Sequence, residues 1–150
     1  MLSQTGQYAL RALVFLAGHE KDWPITGPRI ARETGVPSRY LSAILGSLVR
    51  AGVLEASPGP TGGFRMARPA SRVRLIDVLL PFDGSIEGIN GCPFGNQTCS
   101  EEAPCAGHAR WKKVKETYVQ FLEATSIQDV SVRLPAAAKR AARSPKKITT

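Results

Sequence analysis

Residues 28–66 read PRIARETGVPSRYLSAILGSLVRAGVLEASPGPTGGFRM, and three local signals in this stretch decide the architecture. Pro28 suits the first turn of a short helix, where its missing N–H has no intrahelical partner to lose, and Gly35 suits a left-handed stop. After the turn Gly35-Val36-Pro37, apolar residues recur at Leu41, Ile44, Leu45 and Leu48, the i, i+3, i+4, i+7 stripe of an amphipathic helix. Two helices across a tight glycine-containing turn make a helix-turn-helix. Next, Val53-Leu54-Glu55-Ala56 and Phe64-Arg65-Met66 flank the turn-rich Ser57-Pro58-Gly59-Pro60-Thr61-Gly62-Gly63, which predicts a hairpin. A helix-turn-helix followed by such a hairpin, with Arg65, Arg68, Arg72 and Arg74 close by, is a winged-helix pattern.

Upstream, Tyr8 to Ala17 is apolar almost all round apart from Arg11, as in a buried helix whose two faces need cover. Asp22-Trp23-Pro24 breaks it. Downstream, Leu75 to Phe82 predicts a fourth short helix, with Ile76, Val78, Leu79 and Leu80 buried and Pro81 as its end. From His108 onward, Trp111, Val114, Tyr118, Phe121 and Leu122 repeat at helical spacing, a stripe that a two-fold partner or the N-terminal helix must cover. Residues 135–150 are rich in Ala, Lys, Arg and Pro without aromatics, and read as a disordered basic tail. The fold class is mainly α with a small β-hairpin. Its expected units are a winged helix-turn-helix over 1–82, a cysteine-rich loop over 83–107, a long dimerisation helix with its following segment over 108–133, and the tail over 134–150.

The net charge of +8 is unevenly spread. Residues 1–74 carry 10 basic and 4 acidic side chains, residues 75–133 carry 5 and 8, and the last 17 residues carry 5 and none. A basic N-terminal unit beside a mildly acidic middle points to a polyanion-binding module joined to something that is not one. The outer face of the predicted third helix holds Arg39, Ser42, Ala43, Gly46 and Ser47, short and free of acids, so it could lie close against a DNA groove. The candidate DNA contacts are therefore Ser38, Arg39, Tyr40 and Ser42 at the start of that helix, with Thr61, Gly62, Gly63 and Arg65 in the wing. Arg39 suits guanine or a phosphate equally, and Gly62-Gly63 also suits plain turn geometry.

The chain's three cysteines fall in one loop with a histidine, Cys92, Cys99, Cys105 and His108, spaced C-x6-C-x5-C-x2-H. Several thiolates brought together by a Pro/Gly/Asn-rich stretch make a pocket for a soft metal or an iron-sulfur cluster. Cys3His is also a complete tetrahedral zinc set, although the spacing lacks the C-x2-C pairs of zinc fingers. Glu101 and Glu102 read as solvated loop charges, and Trp111 as core. An odd number of closely spaced cysteines suits a reducing cytoplasm better than a secreted disulfide framework. No window reaches the roughly 18 apolar residues of a membrane span, and the N-terminus lacks the pattern of an export signal. With no Ser/His/Asp set, phosphate loop or evident small-molecule pocket, the chain is not expected to be an enzyme.

Thr5-Gly6-Gln7-Tyr8-Ala9-Leu10-Arg11-Ala12-Leu13, Pro37-Ser38-Arg39-Tyr40-Leu41, Gly59-Pro60-Thr61-Gly62-Gly63-Phe64 and the Cys-His run with Trp111 together resemble, in order over about residues 2–133, the Rrf-type family of bacterial winged-helix regulators. The resemblance implies a homodimer on a pseudo-palindromic double-stranded DNA operator, and in many members an iron-sulfur cluster that alters DNA binding. The Cys-His run most resembles the IscR type, which implies Cys92, Cys99, Cys105 and His108 as ligands of a 2Fe-2S cluster, with six residues in the first gap where five is usual. Nitric-oxide-sensing NsrR-type relatives instead hold a 4Fe-4S cluster with an aspartate from the first helix of the other subunit. Gln7 stands at the matching position here and has no carboxylate. The wing also departs, with Pro58 where an arginine usually precedes the Gly-Pro. The implied function is redox, nitric-oxide or iron-sulfur sensing by a DNA-binding regulator; the alternative is a zinc-stabilised winged helix that senses nothing.

Overall fold

In the computed structural model, which describes residues 2–84, 92–96 and 99–131, the first helix begins on a serine cap. Ser3 Oγ accepts the Gly6 N–H at 2.9 Å and donates to the Asp83 carboxylate. Helix α1 (Gln4–Ala17) buries Ala9, Ala12, Leu13 and Leu16 completely and leaves Tyr8, Leu10, Val14 and Phe15 half-buried, so one of its two apolar faces is only partly covered. It is the hub of the fold. Helices α2 (Gly27–Thr34), α3 (Ser38–Arg50), α4 (Leu75–Asp83) and α6 (Ile127–Ser131) all pack on it.

The helix-turn-helix forms as its sequence predicts. Gly35 ends α2 at φ +71°, and its N–H returns to the Ala31 carbonyl at 2.9 Å. Leu41, Ile44, Leu45 and Leu48 of α3 are all at most 2% exposed. Each such side chain contributes roughly 1.5–3 kcal/mol by leaving water. The opposite face of α3 is left to solvent.

Strands β1 (Leu54–Ser57) and β2 (Gly63–Met66) pair antiparallel as the wing, with Glu55 opposite Arg65 and Ser57 opposite Gly63. A third segment joins them: Ile25, just before α2, exchanges both backbone hydrogen bonds with Phe64, at 2.8 and 3.0 Å. The wing is therefore stitched to the chain ahead of the helix-turn-helix.

Two expectations for α4 are corrected. Pro81 does not end the helix, which runs on to Asp83, and Leu80 is 43% exposed instead of buried. A proline removes one hydrogen bond to the preceding turn without stopping later residues from making theirs. Leu80 points off the buried face set by Leu75, Val78 and Leu79, and Ile76 is half-buried.

Helix α5 (His108–Ala124) buries only Leu122 fully; Trp111 and Tyr118 are half-buried, while Val114 and Phe121 are 48% and 51% exposed. Burial, and next the Asp83 charge, raise the Tyr118 phenol above its ordinary value. After α5 the chain returns to the winged helix. Thr125 O accepts the Leu75 N–H at 3.0 Å, the Ile127 N–H reaches Val73 O at 2.8 Å, and the Arg74 guanidinium caps the Ala124 carbonyl at 3.1 Å. Ile127 is fully buried. The C-terminal end of α5 is thus fastened to the base of the winged helix. The expected tail lies outside the described residues, as does part of the cysteine-rich loop, residues 85–91 and 97–98.

Candidate DNA interface and candidate metal centre

Helix α3 presents Ser38, Arg39, Tyr40 and Ser42 together at its exposed N-terminal turn, which holds no acid. Ser42 Oγ donates to the Ser38 carbonyl at 3.4 Å. The Arg39 guanidinium lies 4.6 Å from the Tyr40 ring centroid, and Tyr40 stacks on Tyr8 of α1 at 6.4 Å, with Arg11 standing 5.8 Å from Tyr8 in turn. Two cations and two rings form one surface ladder from α3 to α1. Its α1 half, Tyr8 and Arg11, was not singled out from the sequence; their i, i+3 spacing and opposite polarity were the only signals.

The wing residues divide. Thr61 is exposed at the tip, whereas a Cβ on Gly62 would lie 2.0 Å from Ser57 O, and one on Gly63, at φ +150°, would lie 2.5 Å from the Ile25 carbonyl. The close approach that these glycines permit is to the chain's own backbone. Arg65 is exposed but engaged, its Nε and terminal amine 2.8 and 2.6 Å from Glu55 Oε2 across the hairpin.

In the loop, two of the four candidate ligands, Cys99 and His108, stand side by side. Cys92 is held below the usual thiol range first by the Asn96 backbone N–H, then by that of Phe94, with the Cys105 thiol adding to the effect. Backbone donors thus favour its thiolate, the form that binds metal. Cys99 Sγ lies 3.4 Å from His108 Nδ1. Cys105 leads straight into α5, since its carbonyl accepts the His108 N–H at 2.9 Å. Phe94, 64% exposed, lies over Gly107, where a Cβ would meet its ring at 2.7 Å, so the loop rests on the start of α5. Among the described residues no three of His, Cys, Asp and Glu converge closely enough for a single ion. Glu101, read as a solvated charge, pairs with Lys112 and stands 3.8 Å from His108 Nε2. A groove of about 360 Å³, lined by Cys99, Glu101, His108, Lys112, Glu116 and Val119 among others, opens beside this pair.

The family model described as Rrf2, an iron-dependent transcriptional regulator, matches residues 2–133. The chain belongs to the Rrf2 family. Among its relatives within reach of sequence comparison, the HTH-type transcriptional regulator IscR of Xenorhabdus nematophila is 27% identical over 129 residues, covering 86% of this chain and 77% of that one. A putative HTH-type transcriptional regulator of Aquifex aeolicus is 30% identical over 132 residues, 87% of this chain and 90% of that one. The global cysteine regulator CymR of B. subtilis shares the fold, with a TM-score of 0.76 at 19% identity over 90% of this chain and 98% of that one. These Rrf2 relatives are transcriptional regulators, not enzymes, and the present Rrf2 chain is an IscR-like regulator with a DNA-binding winged helix. Among its described residues no helix is long and apolar enough to cross a membrane.

The residues present fit an iron-sulfur cluster. Three thiols and one imidazole are the donor types such clusters accept, and one thiol already stands beside the imidazole, Cys99 Sγ 3.4 Å from His108 Nδ1. On the other side of the ring the buried His108 Nε2 has no hydrogen-bond partner among the described residues. Trp111 Nε1 is buried and unpartnered in the same way.

Proposed function

We propose that this chain is a homodimeric cytoplasmic regulator whose affinity for a pseudo-palindromic operator depends on a 2Fe-2S cluster held by Cys92, Cys99, Cys105 and His108. The observation that carries the reading is the placing of the His108 imidazole, with Cys99 Sγ 3.4 Å from it and the Cys105 carbonyl accepting the His108 backbone N–H, at the N-terminus of a helix whose far end is hydrogen-bonded into the winged helix. Three thiolates and an imidazole would hold such a cluster, and the spacing lacks the C-x2-C pairs of zinc fingers. When bound, the cluster supplies one-electron redox chemistry and reactivity toward small oxidants or nitric oxide. The chain's own part is to gather the donors and to relate the loop to α5: Cys105 O and Phe94 touch its first turn, and Arg74 holds its last carbonyl. A change at the loop then alters the angle of α5 and the spacing of two recognition helices. The test is iron and sulfide content after anaerobic purification, with operator affinity measured for holo and apo protein at one salt concentration. Equal affinities would remove the switch and leave a plain DNA binder.

On DNA, Ser38, Arg39, Tyr40 and Ser42 enter the major groove, and Thr61, Gly62, Gly63 and Arg65 form the wing contact. Arg39→Ala is expected to weaken operator binding by about 1–3 kcal/mol, roughly 5- to 150-fold. Fluorescence anisotropy at two salt concentrations separates its roles: a smaller salt slope with uniform weakening marks a phosphate contact, and lost discrimination at one base pair marks guanine readout. Unchanged affinity takes Arg39 out of the interface.

The exposed positions Val114 and Phe121 lie seven residues apart on one stripe of α5, and a second copy of the chain is the cover we assign to it. Phe121→Asp is expected to give a monomer by sedimentation at micromolar concentration and to reduce operator affinity by at least about tenfold, since each half-site then binds alone. A dimer of wild-type strength in this variant would place the interface elsewhere.

A further inference from the structure

Glu101 lies outside the ligand set, yet it faces the far edge of the His108 ring. Nδ1 of His108 is turned to Cys99 Sγ at 3.4 Å, while Nε2 on the opposite side stands 3.8 Å from Glu101 Oε1. Only 12% of the His108 side chain is open to solvent, and Nε2 is buried. A neutral imidazole has one N–H, and the hydrogen bond that N–H makes decides which nitrogen is left bare for a metal. The carboxylate is itself held in place. Lys112, one turn along α5 from His108, pairs with the same Oε1 that faces the ring. Closing 3.8 Å to a normal hydrogen bond needs a movement of roughly 1 Å, within reach of a side chain 70% exposed.

We propose that Glu101 is a positioning residue for His108: it accepts the Nε2–H, so that Nδ1, beside the Cys99 sulfur, is the nitrogen presented to metal. The inference rests on the cluster reading above and adds to it the orientation of the one non-thiolate ligand. Glu101 touches no metal in this arrangement; it acts through the ring.

The test uses the full-length chain purified anaerobically as wild type, Glu101→Leu and Glu101→Gln. Three quantities are read: iron content, the half-life of the visible absorption in the presence of a chelator, and the quadrupole coupling of the remote ring nitrogen by pulsed EPR of the reduced protein. Glu101→Leu is expected to shorten the half-life roughly tenfold, at the lower end of what losing such a partner does, and to shift the remote-nitrogen coupling. Glu101→Gln keeps an acceptor oxygen and is expected to stay within about twofold of wild type in both. A Leu variant indistinguishable from wild type overturns the proposal, and so does a Gln variant as impaired as Leu, which would implicate the Lys112 pair instead of the acceptor. Thermal melts of the metal-free variants are expected to match wild type, because Glu101 is exposed; a fall in melting temperature that tracks the lost half-life would also overturn it. Wild-type protein lacking iron and sulfide overturns the cluster reading itself, whereas iron-loaded wild type with an unaffected Leu variant overturns this inference alone.

Discussion

On the cluster reading, wild type is expected to carry about two irons and two sulfides, and Cys105→Ser, purified anaerobically, is expected to lack its visible absorption and to retain less than about a tenth of its iron. Cys105 is the cysteine nearest the helix, and its carbonyl accepts the first N–H of α5. A serine hydroxyl keeps the shape and removes the soft, readily ionised donor. His108→Ala should be milder, leaving three thiolates and a partly loaded, short-lived centre. His108→Cys should restore loading while lowering the reduction potential, because a fourth thiolate adds negative charge. Colourless wild-type protein with one tightly held zinc per chain would refute this series and favour the zinc-stabilised alternative.

The second large effect is expected in the wing. Gly63→Val should destabilise the protein by about 3 kcal/mol, a fall in melting temperature on the order of 10 °C. A Cβ there would sit 2.5 Å from both the carbonyl carbon and oxygen of Ile25 and 2.9 Å from the Thr26 nitrogen, all backbone atoms, at a φ of +150°. Either the bridge between Ile25 and Phe64 opens or the hairpin twists away, and both expose the base of α2. Gly59→Ala is the matched control: its φ is also positive, at +91°, but nothing lies within 4 Å of a Cβ, so about 1 kcal/mol of backbone strain is all that is expected. Circular dichroism melts of the two variants make the comparison. Equal losses would mean that the hairpin's positive φ, not its contact with Ile25, accounts for both.

Gly63 also shows how far reading the chain can go. A Gly-Gly step before a short β-run announces a turn and a close backbone approach, and both are present. It does not announce whose backbone is approached. Within the fold that backbone is Ile25, nearly forty residues upstream, which leaves the proposed wing contact with DNA a separate question for the same turn. The expected burial of Leu80, unlike the turn at Gly63, is overturned. In a nine-residue helix rich in apolar side chains the period is too short to say which of them face inward, and α1 and α5 decide it by where they pack. Glu101 was legible as a charge in a loop, but its place beside His108 depends on α5 turning Lys112 toward it.

By itself the sequence determined whatever is repeated within an element or compressed into a few neighbouring residues. The period of Leu41, Ile44, Leu45 and Leu48, the stop at Gly35, the hairpin, the long helix from His108 and the gathering of Cys92, Cys99, Cys105 and His108 into one loop are of this kind. They depend on backbone geometry and local side-chain spacing, which act over one or two turns of chain. Tertiary structure alone decided the pairings between elements: Ile25 with Phe64, Tyr8 with Tyr40, Cys99 with His108 rather than with another cysteine, and residues 125–127 with 73–75. An apolar face can be satisfied by any apolar surface, so its period carries no address. The address comes from close packing and from backbone hydrogen bonds that must all be made at once, and only the assembled fold meets both conditions.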